Sequence, residues 1–356
     1  MYWKFEVSLK NLFICIKITI FFSLVTILTS THSFSYEELL SGHYKRHCEL
    51  LSLDLKFKKK FPGRHCLFLD DGRLVSADFD GLKMYDRNQQ LLWKIEGHFH
   101  HMVSLSHDKQ YILTMRFILH PTVPKTDIDE LLKIDLNGKI VAAQTSMTLF
   151  KAVKFDYPHT LKPQAKHTPS LQYELSHFNS IYDVPPNTKS SQGGEFNVGN
   201  IIVNTLKGGF FILDKEMKEV LFHFIVKESE NHSIHDVQMM NTGEILLFNN
   251  INIDSPVGPY SSVDIWDIEL KKRIYHYTAP EKQWFFSAFC GGVQVLSEDV
   301  FLVSGRLNGI FIINRKLNKL IYSEPYFSAE GENREIYRLQ DVKRVDVQNF
   351  LKNWNL

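Results

Sequence analysis

The chain has little cysteine, no excess of either charge and no long apolar run. Four cysteines stand among 356 residues, and neither a CxxC pair nor a Cys/His spacing suited to a metal ion occurs. Forty-one basic side chains face forty acidic ones, a formal net charge of +1. That balance argues against nucleic acid as a partner, because phosphate binding needs a clustered basic surface. The run Lys58-Lys59-Lys60 reads as a solvated strand end. The uncharged apolar run Ile18 to Leu28 has 11 residues, too few to span a bilayer. After residue 35 little reads as a long amphipathic helix.

What is present begins with an export signal. Lys4, Lys10 and Lys17 give a positive flank, the apolar run follows, and Ser33 and Ser35 bracket Phe34 in a cleavage pattern that starts the mature chain at Tyr36. The alternative is an uncleaved anchor over Leu12 to Leu28. Either way residues 1–35 are set apart from a single domain over 36–356, and the protein is expected to be periplasmic or secreted. Removing residues 1–35 takes away three lysines and Glu6, turning +1 into about −1. Cys15 leaves with the signal. In an oxidising compartment Cys48 and Cys66 can pair, and Cys290 then reads as a buried thiol. The 27 Phe and 14 Tyr suit strands and sheet packing better than helices.

A repeat decides the fold class. Five segments share one pattern: an apolar strand ending in Asp or Asn, a short polar stretch, and a second apolar strand. They are LKMYDRNQQLLWKI, LLKIDLNGKIVAAQ, GFFILDKEMKEVLFHF, VDIWDIELKKRIYHY and IFIINRKLNKLIYSE, with landmarks Asp86, Asp135, Asp214, Asp267 and Asn314. Another pair of short strands precedes each landmark hairpin, most clearly HDVQMMNTGEILLFNN with its Asn241-Thr242-Gly243 turn. Four strands per unit at this spacing predict an all-β propeller. Residues 336–347 and 51–61 supply a sixth unit from the two chain ends, so six four-stranded blades are expected. The gap between Asp135 and Asp214 exceeds the others by about one loop, and its Pro-, Ser- and Gly-rich stretch near 155–200 reads as an irregular insertion.

Histidines recur at one phase of this repeat. Eight residues before the turn landmark of the first strand pair stand His101, His177 and His235 in three consecutive units, with Arg64 and Gly291 in the first and fifth. First strands line the axis of a propeller, so these side chains are expected to converge on the channel. His98, His100 and His120 lack phase partners and read as ordinary surface or structural groups.

The motifs HFNSIYDVPP (177–186), GNIIVNTLKGGFFILD (199–214) and HDVQMMNTGEILLFNN (235–250) resemble the His-containing blades of bacterial arylsulfate sulfotransferases. These are periplasmic six-bladed propellers that need no nucleotide sulfate donor. The resemblance covers roughly residues 95–325 and implies transfer of a sulfuryl group between phenols through a sulfo-histidine, with no cofactor and no metal. It assigns His235 as nucleophile and His177 and His101 as supporting pair, with Asn179 of the HFNS motif as a substrate contact. The implied partners are a small phenolic sulfate donor and a phenol acceptor, with no nucleic acid and no membrane beyond an uncleaved anchor. The chain departs from the family at Leu206, where an arginine belongs. Arg64, Arg116 and Arg306 stand at related phases and are the candidates to supply that charge to the substrate. Two other readings stay open, a non-catalytic propeller that binds a ligand or protein partner, and a three-histidine metal site.

Overall fold

A computed structural model describes residues 39–43, 47–52, 57–154, 173–206, 209–225, 233–252, 260–278, 287, 291–305, 309–324 and 338–342. The expected leader and cleavage site, Cys290 and Arg306 lie outside these residues. Among the described residues no helix is long and apolar enough to cross a membrane.

Among the described residues the strands form six sheets, five of four strands and one of four with a short fifth, each antiparallel along its main path. The first blade comprises His65–Phe68, Leu74–Asp78, Gly81–Tyr85 and Leu91–Ile95. The second comprises His98–Leu105, Tyr111–Leu119, Thr126–Asp135 and Ile140–Thr145. Phe178–Asp183, Ile201–Thr205, Gly209–Leu213 and Val220–Ile225 make the third. Ile234–Met239, Ile245–Asn252, Tyr260–Asp267 and Lys272–Tyr277 make the fourth. The fifth runs through Gly292–Ser297, Val300–Gly305, Gly309–Asn314 and Lys319–Glu324. The sixth joins the chain ends: Arg338–Val342 pairs with Leu39–His43, followed by His47–Ser52 and Phe57–Pro62. First strands of successive blades pack on one another from the first blade to the sixth, and Leu39–His43 of the sixth meets His65–Phe68 of the first. This is the expected propeller.

Alternation along each strand explains the packing. A strand sends successive side chains to opposite faces, and a blade has a neighbour on both. On Tyr111–Leu119, Ile112 packs towards the first blade with Val75 and Met84, while Leu113 and Met115 pack towards the third with Phe178 and Val203. Each such side chain contributes about 1.5–3 kcal/mol by leaving water. The outermost strands face solvent, and Leu91, Leu92 and Val141 are exposed there.

The five landmark residues have one local role. Asp86 Oδ1 accepts the backbone N–H groups of Asn88 and Gln90, Asp135 Oδ1 those of Asn137 and Lys139, and Asp214 Oδ1 those of Lys218 and Glu219. Asp267 does the same for Glu269 and Leu270, and Asn314 for Leu317. A short acceptor that satisfies turn donors is what an outer hairpin needs, hence Asp or Asn each time.

The insertion is narrower than the sequence suggests. Phe178–Asp183 is the first strand of the third blade, and Tyr173–Glu174 runs parallel to Thr126–Asp127 on the second. Residues 155–172 lie outside the described set. Two 3-10 turns, Ser190–Gln192 and Gly194–Phe196, fill the hairpin that follows. Among the described residues one short helix, Ser146–Ala152, starts at Thr145, whose hydroxyl accepts from Thr148 N–H, and seats Leu149 and Phe150 against the third blade.

Cys48 of the sixth blade is bonded to Cys66 of the first, with Cα atoms 6.1 Å apart and both side chains fully buried. The bridge crosses the seam where the ring closes.

Candidate histidine site in the channel

The first strands of the second, third and fourth blades carry a bulge at the same level. Pairing skips between His100 and Val103, between Phe178 and Ser180, and between Ile234 and Asp236. A bulge leaves a residue outside the ladder and re-aims its side chain. The residues so released are His101 with Met102, Asn179, and His235.

This register corrects the phase read from sequence. His177 O accepts from Leu206 N–H just as Ser233 O accepts from Asn250 N–H, so His177 corresponds to Ser233. Arg64, His101, Asn179, His235 and Gly291 are the true equivalents, and His177 stands two residues before its blade's position. The count failed because it ran through Pro185 into a longer hairpin.

The three imidazoles nevertheless come together. The His101 ring lies 4.5 Å from the His177 ring, edge to face, and 6.0 Å from the His235 ring. His101 holds φ at +58°, a left-handed backbone unusual for a residue with a Cβ. Such a conformation costs on the order of 1–3 kcal/mol and clusters at ligand sites.

Two further histidines join them. His100 Nδ1 is 2.5 Å from His101 Nδ1, and His65 is close enough for its charge to act on His101. His100 has no partner in the repeat, yet it is buried and in contact with His101, which the sequence does not show. His98 has a structural place, stacked on Phe79 at 3.9 Å. His120 caps a turn by accepting from Thr122 and Val123 N–H.

The imidazoles differ in their hold on a proton. Burial, then the positive potential of His177, His100, His235 and His65, holds His101 well below the usual histidine range, so it is neutral. Burial likewise depresses His100, to about 3. His177 goes the other way. Burial works against its charge, but Glu174 outweighs it, by Coulomb attraction and by a contact of 2.7 Å between His177 Nδ1 and Glu174 Oε1. Asp129 adds to the pull. Glu174 reaches the site on the short parallel strand at Thr126–Asp127, a pairing the sequence does not announce.

The remaining candidates divide. Arg64 sits with its guanidinium 4.0 Å above the Phe79 ring and near enough to His100 to disfavour its protonation. Arg116 follows the bulge-flanking pair His100–Met115 as Leu206 follows Phe178–Thr205, and it pairs opposite Phe99 and Glu130. Its Nε donates to Glu130 Oε2 at 2.7 Å and a terminal nitrogen to Glu96 O at 3.2 Å, which spends the guanidinium on its own blade. Asn179 is fully buried and donates Nδ2–H to Ile234 O, tying the third blade to the fourth. Among the described residues no three His, Cys, Asp or Glu side chains are disposed to hold a metal ion.

The arrangement can supply a proton from His177 and accept one at a neutral ring beside it. No protein-family model and no curated protein matches the chain. Among solved structures, a protein of unknown function from Bacteroides caccae is similar at a TM-score of 0.56, covering 86% of this chain and 99% of that one. At 10% identity the likeness establishes a shared fold and no more.

Proposed function

We propose that this chain is a propeller enzyme that moves a sulfuryl group from a small phenolic sulfate to a phenol through a histidine intermediate. The supporting observation is the meeting of His101, His177 and His235, from three blades, at ring separations of 4.5 and 6.0 Å. In this reading a His235 nitrogen lone pair attacks sulfur and the aryl oxygen–sulfur bond breaks. His177, whose hold on its proton Glu174 strengthens, gives that proton to the departing phenolate. The acceptor phenol then attacks sulfur, the nitrogen–sulfur bond breaks, and an imidazole takes the phenol proton. Arg64 is the cation best situated to offset charge on the sulfuryl oxygens.

The test is incubation of the protein with 4-nitrophenyl sulfate and a phenol acceptor. Release of nitrophenol that depends on the acceptor, abolished by His235→Ala, supports the reading. Mass spectrometry without acceptor should find the sulfo group on the peptide bearing His235. A second reading, binding without transfer, is favoured by Leu206 and by the engagement of Arg116 with Glu130; tight binding of an aryl sulfate with no turnover decides for it. The Cys48–Cys66 bond and the apolar leader support a periplasmic or secreted location. Peptide mapping of a cytoplasmic product that keeps Met1 would count against that.

A further inference from the structure

His101 Nδ1 and His100 Nδ1 face each other at 2.5 Å. Two ring nitrogens at that distance share one proton, so one donates and the other accepts. The far side of His100 decides which. Its Nε2 lies 3.0 Å from Asp129 Oδ1, a close contact though not a straight hydrogen bond. The other oxygen of Asp129 accepts from Ser176 Oγ at 2.5 Å and from Phe178 N–H at 3.3 Å, which holds the carboxylate in place. His100 is also clamped, its ring stacked on Phe117 at 3.8 Å.

A carboxylate beside Nε2 favours the proton on that nitrogen, as it does for histidines oriented by an outer carboxylate. His100 Nδ1 then carries the lone pair, and His101 donates Nδ1–H into it. The nitrogen on the opposite edge of the His101 ring, Nε2, is left bare. The left-handed backbone at His101 and the bulge beside it hold the ring in this contact.

We infer that Asp129, His100 and His101 form a relay that fixes His101 with a bare Nε2 and makes it the general base of the site, with Asp129 and His100 as positioning residues. The base role rests on the transfer reading above; the tautomer does not. During the second half of the transfer the acceptor phenol gives its proton to His101 Nε2 as its oxygen bonds to sulfur. His177 has by then lost its proton to the first phenolate. The proton on His101 passes to His177, whose ring is 4.5 Å away, and the site is reset. Acid and base are thus divided between one imidazole that favours its proton and one that is neutral. Burial keeps His101 and His100 neutral, in keeping with this division.

The test is long-range proton–nitrogen correlation on the full chain labelled with ¹⁵N-histidine, with the His101 signals assigned by their loss in His101→Gln. Above neutral pH, His101 should show a protonated Nδ1 and an unprotonated Nε2. His100→Phe keeps the stack on Phe117 and removes the acceptor, so His101 should become a mixture of tautomers and transfer should slow about 10²-fold or more. His100→Asn restores an oxygen near the lost nitrogen, and should recover the single tautomer and most of the rate. A wild-type His101 protonated on Nε2 overturns the inference whatever the activity. So does a folded His100→Phe with an unchanged rate. If the tautomer is as stated but no aryl sulfate is turned over, the relay stands and the sulfuryl-transfer reading fails, taking the base role with it.

Discussion

Breaking the Cys48–Cys66 bond should cost the fold about 3 kcal/mol. The bonded residues are 18 apart in sequence. Cross-linking a loop of that length removes about 11 cal/mol/K of entropy from the unfolded chain, or roughly 3 kcal/mol at 25 °C. The bridge also spans the seam between the first and last blades, so its loss acts where the ring opens. With a urea slope of about 3 kcal/mol/M, the midpoint should fall by about 1 M. The assay is urea unfolding of Cys48→Ala, Cys66→Ala and the double variant. Either single change breaks the same bond, so all three midpoints should nearly coincide. Two single costs that add in the double variant would mean two separately packed thiols, and the reasoning from loop closure would fail.

The site should respond to pH on two sides. Asp129 is pushed up to about 7 by burial, opposed by Ser176, His177 and the Phe178 N–H and helped by Asp127. Below that pH the carboxyl is protonated and can itself donate to His100, which reverses the relay, so turnover should fall as pH drops through about 7; an unchanged acid limb in Asp129→Asn would refute this. The alkaline limb should follow His177, whose raised affinity for its proton depends on Glu174. Glu174→Gln should therefore move that limb to lower pH, which a pH profile of kcat will show. His177→Ala should slow transfer about 10²- to 10⁴-fold while leaving nitrophenol binding intact, the scale of a lost acid. Asp214→Ala removes the acceptor of two turn N–H groups and should cost about 1–2 kcal/mol in unfolding with no change in turnover.

Local chemistry was the part of this molecule written plainly in the sequence. The turn acceptors at Asp86, Asp135, Asp214, Asp267 and Asn314 could be found because each acts within five residues of itself. The sixth blade was legible in part, since the stretches at 336–347 and 51–61 had no other partner, but its strand Leu39–His43 and the division of the early stretch between His47–Ser52 and Phe57–Pro62 were not. The site was harder. His101 and His235 do share a register, but bulges leave no mark in composition, and one longer hairpin shifted His177 by two positions. Arg116 pairs directly opposite Glu130 and is engaged by it, which a phase count along one strand cannot show. His100 and Glu174 were missed because their importance lies in burial and in a parallel pairing across the insertion. Neither has a periodic signature.

The closing blade also sets an order in time. Its first strand, Arg338–Val342, is the last described strand of the chain, and it pairs with Leu39–His43, the first. A ribosome delivers the histidine-bearing blades well before this pairing can form. Until it does, the growing protein is an open arc with unpaired edges, the kind of surface on which chains aggregate. Joining partners so distant in sequence is also an entropically slow step. A product cut short before residue 338 keeps His65, His101, His177 and His235 but lacks the strand through which the fifth blade meets the sixth.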